Sequence, residues 1–331
     1  MYDEHLRCFS RIFIRVYTTP DPQFDLEPED RFAAVIYDKR FPYSSSLKSN
    51  LIETIMLIEL HKEHLSSVTK QSSQYCVPDL VKELLSSVDW KVWAGIQKEL
   101  PDMAELVPEI FFRCLYQAID SQQSPIAKLF EQERSTGIIR TNYLTGIIWA
   151  FEVLAWEPNS LQRVVIALAK LDSMDLNKDS NWANKPGKVL STLLWPWGVN
   201  NSADLNKYKA SLKALTRYNP QLAWEVLTNL LSKTMSYGTT KPKWRAWESK
   251  ELERKLTSVE AVRRYEEIGR MLINMADNDC SRLVQLVDSL DNLIYSIFLE
   301  ALVLFKRKLA HLTFETQDEL WERLVSLSDK H

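Results

Sequence analysis

Along most of the chain, apolar residues return every three or four positions, the period of one helix face rather than of a strand. From Ser44 to about Leu65 the positions Leu47, Leu51, Ile55, Ile58 and Leu60 keep that spacing, and Ser44-Ser45-Ser46 offers the N-cap hydroxyl. Pro78 opens a helix through Leu85. Asp89 caps a third, with Trp90, Trp93, Ile96 and Leu100 on one face, and Pro101 and Pro108 punctuate the next two. The most apolar stretch, Gly146 to Trp156, is too short to cross a bilayer and reads as a core helix. Pro158 ends it, and a helix from Leu161 to about Leu171 follows across a tight turn. Asn219-Pro220 makes a similar junction, with Leu222, Val226, Leu227 and Leu230 facing inward on the next helix; Glu315 to Leu327 forms the last.

The N-terminus is ambiguous by pattern alone. Cys8, Ile12 and Val16 fit a helix face, Ile12, Ile14 and Val16 fit a strand, and the helical neighbourhood favours the helix. Pro20 and Pro22 mark a loop, and Pro28, with Glu29 and Asp30 behind it, suits the first turn of another helix.

Composition narrows the class. The chain holds only 7 glycines in 331 residues, whereas hairpins, βα turns and phosphate loops all consume glycine. Val77-Pro78-Asp79-Leu80 recurs as Val107-Pro108-Glu109-Ile110, a spacing suited to stacked helix pairs. The expected fold is therefore all-α: an irregular α-solenoid of HEAT- or TPR-like helix pairs with two long loops. It divides into an N-terminal extension (1–26), a helical-repeat part (27–171), a Trp/Pro-rich insertion (172–200) and a second helical part (201–331) with a loop at 236–247.

The net charge of −3 gives no support to nucleic acid as a partner. Cys8, Cys76, Cys114 and Cys280 are far apart and never form a CxxC pair, which suggests buried thiols in a reduced, cytoplasmic setting. No apolar run is long enough for a membrane span.

Candidate chemistry is thin. Pro186-Gly187-Lys188 resembles a phosphate loop only superficially, because Trp182 and Val189 stand where the glycine and the hydroxyl residue are required. His61 and His64, with Glu59, form one histidine cluster, two ligands where zinc wants three or four; a hydrolase-like carboxylate/His site in a helical groove would need a third ligand there. Glu260, Arg263, Arg264 and Glu267 read as solvated helix pairs. No catalytic residue, cofactor or metal site is expected. The long loops remain. Lys241, Lys243 and Arg245 interleave with Trp244 and Trp247, and the earlier insertion carries Trp182, Lys185, Trp195 and Trp197. Trp and Arg are the usual anchors of protein interfaces. They can also stack bases, as a nucleic-acid-binding array would require, or simply pack the loops. The residues expected to bind a partner are Trp182, Lys185, Trp197, Lys243, Trp244, Arg245 and Trp247.

Three segments carry a resemblance: Leu154-Ala155-Trp156-Glu157-Pro158 with the helix after it, Asn181 to Trp197, and Thr240 to Trp247. With Ala34 to Leu60 upstream, they resemble the C-terminal helical-repeat region of large bacterial STAND-type NTPases, including antiviral ones of the Avs kind. The resemblance covers about Ala34 to Trp247. It implies a non-catalytic sensor array, with ATPase and effector elsewhere, whose partner is a phage protein or neighbouring domains of a larger polypeptide.

Overall fold

A computed structural model describes residues 3–63, 77–132, 142–157, 159–174, 185–231, 238–244 and 255–328. The fold is all-helical, with helices packed on one another and no strand among the described residues. Two compact units are built from non-contiguous stretches, whereas the sequence suggested a linear division. The first comprises Met1–Trp156, Lys170–Asn184 and Thr240–Leu252; the second comprises Glu157–Ala169, Lys185–Thr239 and Glu253–His331.

The first unit holds α1 (Asp3–Thr18), α2 (Ser45–Leu60), α3 (Val77–Leu85), α4 (Trp90–Gly95), α5 (Leu100–Leu106), α6 (Pro108–Asp120), α7 (Pro125–Glu131) and α8 (Thr145–Leu154). Helix α1 settles the ambiguous N-terminus, burying Phe13, Val16 and Tyr17. The expected caps form: Ser44 Oγ accepts from the Leu47 amide at 3.1 Å and Asp89 Oδ1 from Lys91 at 2.9 Å. The two halves of the internal echo start α3 and α6, which pack together. Trp93, Phe111, Phe112 and Phe151 are fully buried.

Helices α5 and α8 lie especially close. A Cβ added to Gly146 would stand 1.8 Å from the carbonyl oxygen of Gln97, so only glycine lets α8 start there.

Three helix expectations change. The Asp89-capped helix stops at Gly95, and the chain turns before Leu100, so that Ile96 and Leu100 are both fully buried. The helix begun at Ser44 ends at Leu60 with His61 as its C-cap. No α-helix starts at Pro28; only short 3-10 turns occur, at Pro22–Asp25 and Arg31–Ala33. The segment instead folds around the buried Arg31 guanidinium, 5.5, 5.4 and 5.9 Å from the ring centroids of Phe24, Trp90 and Tyr143. Its Nε donates to the Leu26 carbonyl and its Nη2 to Gln132 Oε1.

The second unit holds α10 (Pro186–Leu193), α11 (Leu205–Tyr218), α12 (Pro220–Leu231), α13 (Ser258–Asp277), α14 (Cys280–Leu286), α15 (Tyr295–Leu309) and α16 (Phe314–Ser328); the division between units falls inside α9 (Leu161–Met174). Asn219 Oδ1 accepts from the Leu222 amide at 3.0 Å, capping α12 as its Asn-Pro junction suggests. Arg264 is not the solvated residue its helical spacing suggested. It is buried, stacks 4.6 Å from the Tyr208 ring centroid, and donates to the Ala203 carbonyl at 2.6 Å and to Glu260 at 3.1 Å. Glu267 pairs with Lys209 at 2.7 Å.

Much of the expected insertion is helical: α9 runs to Met174 and α10 begins at Pro186, while 175–184 lies outside the described residues. Cys114 is buried, but Cys8 and Cys280 are exposed, so burial is not the common property of the thiols; Cys76 lies outside the described residues. No helix among the described residues is long and apolar enough to cross a membrane.

Candidate functional site

The loop Thr240–Trp244 is anchored at both ends by carboxylates from the first unit. Helix α8 carries Glu152, the one charged residue in the stretch Gly146–Trp156. Set among apolar neighbours, its carboxylate must find donors. Its Oε2 accepts from the Thr240 amide at 2.9 Å and from the Thr240 hydroxyl at 2.6 Å. In the turn that follows α8, the buried Trp156 donates its indole N–H to the Thr240 carbonyl at 3.2 Å.

The other end is held by α5. Glu105 is only 3% exposed, and its two oxygens take successive backbone amides: Oε2 from Lys243 at 2.9 Å, Oε1 from Trp244 at 2.6 Å. Asp102, one turn earlier on the same helix, accepts from the Trp244 indole at 3.0 Å. Bonds to an ionised acceptor are roughly twice as strong as neutral ones, so these carboxylates fix the loop's backbone and its tryptophan together.

The side chains of the clamped loop differ in exposure. Those of Lys241 and Lys243 are exposed, Lys241 with its ammonium 5.2 Å from the Trp156 ring centroid, and Trp244 is half-buried. Trp244 also lines a cleft of about 250 Å³ with Met56, Glu59, Leu60, Lys62, Glu63 and Leu106. The lining thus mixes the charged Glu59, Lys62 and Glu63 with the apolar Met56, Leu60 and Leu106.

The described sequence-predicted residues are divided between the two units. Lys243 and Trp244 come together on the first unit. Lys185 and Trp197 belong to the second, Lys185 half-buried at the N-cap of α10 and Trp197 46% exposed with its ring 5.3 Å from that of Tyr265. Trp182, Arg245 and Trp247 lie outside the described residues. At the histidine cluster, Glu59 pairs with Lys62 at 2.7 Å, His61 is exposed, and His64 lies outside the described residues. No group of three or more His, Cys, Asp or Glu able to hold a metal occurs among the described residues.

The clamp residues Glu105, Asp102, Glu152 and Trp156 were not among the predicted site residues. Glu152 had a signal, a lone acid in an apolar helix. Glu105 had none, because its partners are 138 and 139 positions away.

Comparison with protein-family models, with curated proteins and with solved structures finds no match to this chain.

Proposed function

We propose that this chain is a non-catalytic protein-binding scaffold, a cytoplasmic helical-repeat array of the sensor type found in bacterial antiphage STAND-type proteins. Its recognition surface on the first unit is the loop Thr240–Trp244 with the adjoining cleft. The observation that carries the reading is the double carboxylate clamp: a loop held by Glu105 and Glu152 presents Lys241, Lys243 and the indole of Trp244 with little ordering left to do on binding. The partner such a surface takes is a protein offering carboxylates to the lysines and an apolar group to Trp244 and the Met56, Leu60 and Leu106 side chains beside it. A protein suits it better than nucleic acid, because Glu59 and Glu63 line the same cleft and the whole chain carries a net charge of −3.

The test is a pull-down from phage-infected bacterial lysate, with the wild type beside Lys243→Glu and Trp244→Ala. One phage protein retained by the wild type and lost by both variants, each still folded, is the expected result. Retention unaffected by either variant removes this surface from the reading. No retained phage protein moves the partner to neighbouring domains of a larger polypeptide.

A further inference from the structure

The last two helices each turn an apolar seam outward. Helix α15 buries Ile297, Ala301, Leu304 and Phe305 and packs on α13, while α16 packs on α14 and on the 3-10 turn Val287–Asn292. On the opposite face of α15, Tyr295, Leu299, Leu302, Lys306 and Leu309 are all exposed at alternating steps of four and three residues. Along α16 the exposed series Phe314, Asp318, Trp321 and Val325 steps the same way. Alternation of four and three is the seam of a coiled coil. Single exposed apolar residues are ordinary, whereas two seams that include Phe314 at 85% and Trp321 at 68% exposure mark a contact surface.

Each seam contains one charge, of opposite sign. Lys306 interrupts the seam of α15 in a last turn that also holds Arg307 and Lys308. Asp318 interrupts that of α16, flanked by Glu315, Glu319 and Glu322. Read toward its C-terminus, α15 runs apolar, apolar, apolar, Lys, apolar. Read back from its C-terminus, α16 runs apolar, apolar, Asp, apolar. Antiparallel pairing therefore brings Lys306 beside Asp318 while Leu299, Leu302 and Leu309 meet Val325, Trp321 and Phe314. Both seams are exposed within one chain, so they do not cover each other there.

We propose that the occupant is a second copy of this chain, with α16 of each copy laid antiparallel on α15 of the other. Two complementary seams on one chain are what a closed two-fold contact needs, since each copy then supplies both halves. The opposite charges set the register, the role a charged core position plays in coiled coils.

The experiment measures the solution mass of the full chain by light scattering at concentrations well above about 10 μM, where a small interface is populated. Wild type is expected to be a dimer. Lys306→Glu and Asp318→Lys, each placing like charges across both contacts, are expected to be monomers that stay folded, with unchanged helical circular dichroism, because both positions are exposed. An equimolar mixture of the two variants restores opposite charges at both contacts and is expected to return to the dimer, with affinity at least tenfold above that of either variant alone. A monomeric wild type, a mass beyond the dimer, dimers that survive both single variants, or a mixture that stays monomeric each overturns the proposal. None of these outcomes touches the loop of the first unit, so the proposed recognition surface stands or falls separately.

Discussion

The two tryptophan-bearing loops are held by opposite chemistry. In the first unit, the anionic acceptors Glu105 and Glu152 capture the backbone N–H groups of Thr240–Trp244. In the second, neutral donors capture the backbone carbonyls that α10 leaves unsatisfied at its end. Asn200 Nδ2 donates to Thr192 O and Asn201 Nδ2 to Leu193 O, both at 2.7 Å, and the Tyr208 hydroxyl donates to Leu194 O at 2.6 Å. Burial holds the Tyr208 phenol far above its ordinary pKa, so it keeps the proton it donates. The second arrangement tidies a helix end and seats Trp195 in the core. The first brings charge inward to hold a loop that belongs to no helix, a cost that local packing alone does not explain. That difference is the reason to propose the loop of the first unit, rather than that of the second, as the recognition surface.

The comparison breaks most severely at Gly146. It lets α8 approach the Gln97 backbone and so sets the spacing between the helices that carry Glu105 and Glu152. Gly146→Ala has no flexible side chain to push aside. It should cost about 3 kcal/mol or more, at the upper end of overpacking effects, and loosen the loop. Thermal unfolding together with amide hydrogen exchange at Thr240, Lys243 and Trp244 measures both. Normal stability in the variant would mean that the close approach is not needed.

Glu105→Ala follows. It strands two backbone amides beneath the loop and should cost about 3 kcal/mol, since bonds to a charged acceptor contribute about 1.5–3 kcal/mol each and part of the loss is recovered by water. Exchange at Lys243 and Trp244 should rise selectively. Glu105→Gln, which keeps one acceptor oxygen, should cost about half as much. Equal costs would show that the full pair of acceptor oxygens, rather than the shape of the side chain, is what matters. In the second unit, Tyr208→Phe removes one neutral bond from a buried carbonyl and should cost only about 1 kcal/mol, with the fold around Trp195 intact.

Local features of this contrast were legible in the sequence. Ser44 and Asp89 cap the helices they were expected to cap, because a cap and its amide lie two or three residues apart. Proline placed the starts of α3, α6 and α12 for the same reason. The clamp was not legible, since nothing near Glu105 announces donors far along the chain. Where local and distant demands conflict, the distant ones win. Pro28, Glu29 and Asp30 make a good helix start, yet Arg31 is drawn into an aromatic cage by Trp90 and Tyr143, and the helix is lost. Likewise Ile96 and Leu100 reach the core only because the chain turns between them.

The smallest expected effect concerns the other acid inside the first unit. Glu99, just before α5, lies 3.7 Å from Lys48, whose ammonium also donates to the Gly95 carbonyl and faces the ring of Tyr17 at 5.3 Å. Burial raises the Glu99 pKa above 4.5 and lowers that of Lys48, so desolvation outweighs their mutual attraction on both sides. Glu99 therefore holds its proton more tightly folded than unfolded. Its contribution to stability grows as pH falls through the folded pKa, levels off below the unfolded value, and is lost toward neutral pH. Lys48 acts in the opposite sense at alkaline pH: stability rises with pH as the buried amine is allowed to stay neutral. Urea unfolding of wild type and Glu99→Gln from about pH 4 to 7 isolates the acid, because the slopes of all other carboxylates cancel in the difference. The variant should lose the added stability at the acid end relative to wild type. If instead the two curves run parallel, Glu99 titrates alike in the folded and unfolded chain, and its attraction to Lys48 offsets the cost of its burial.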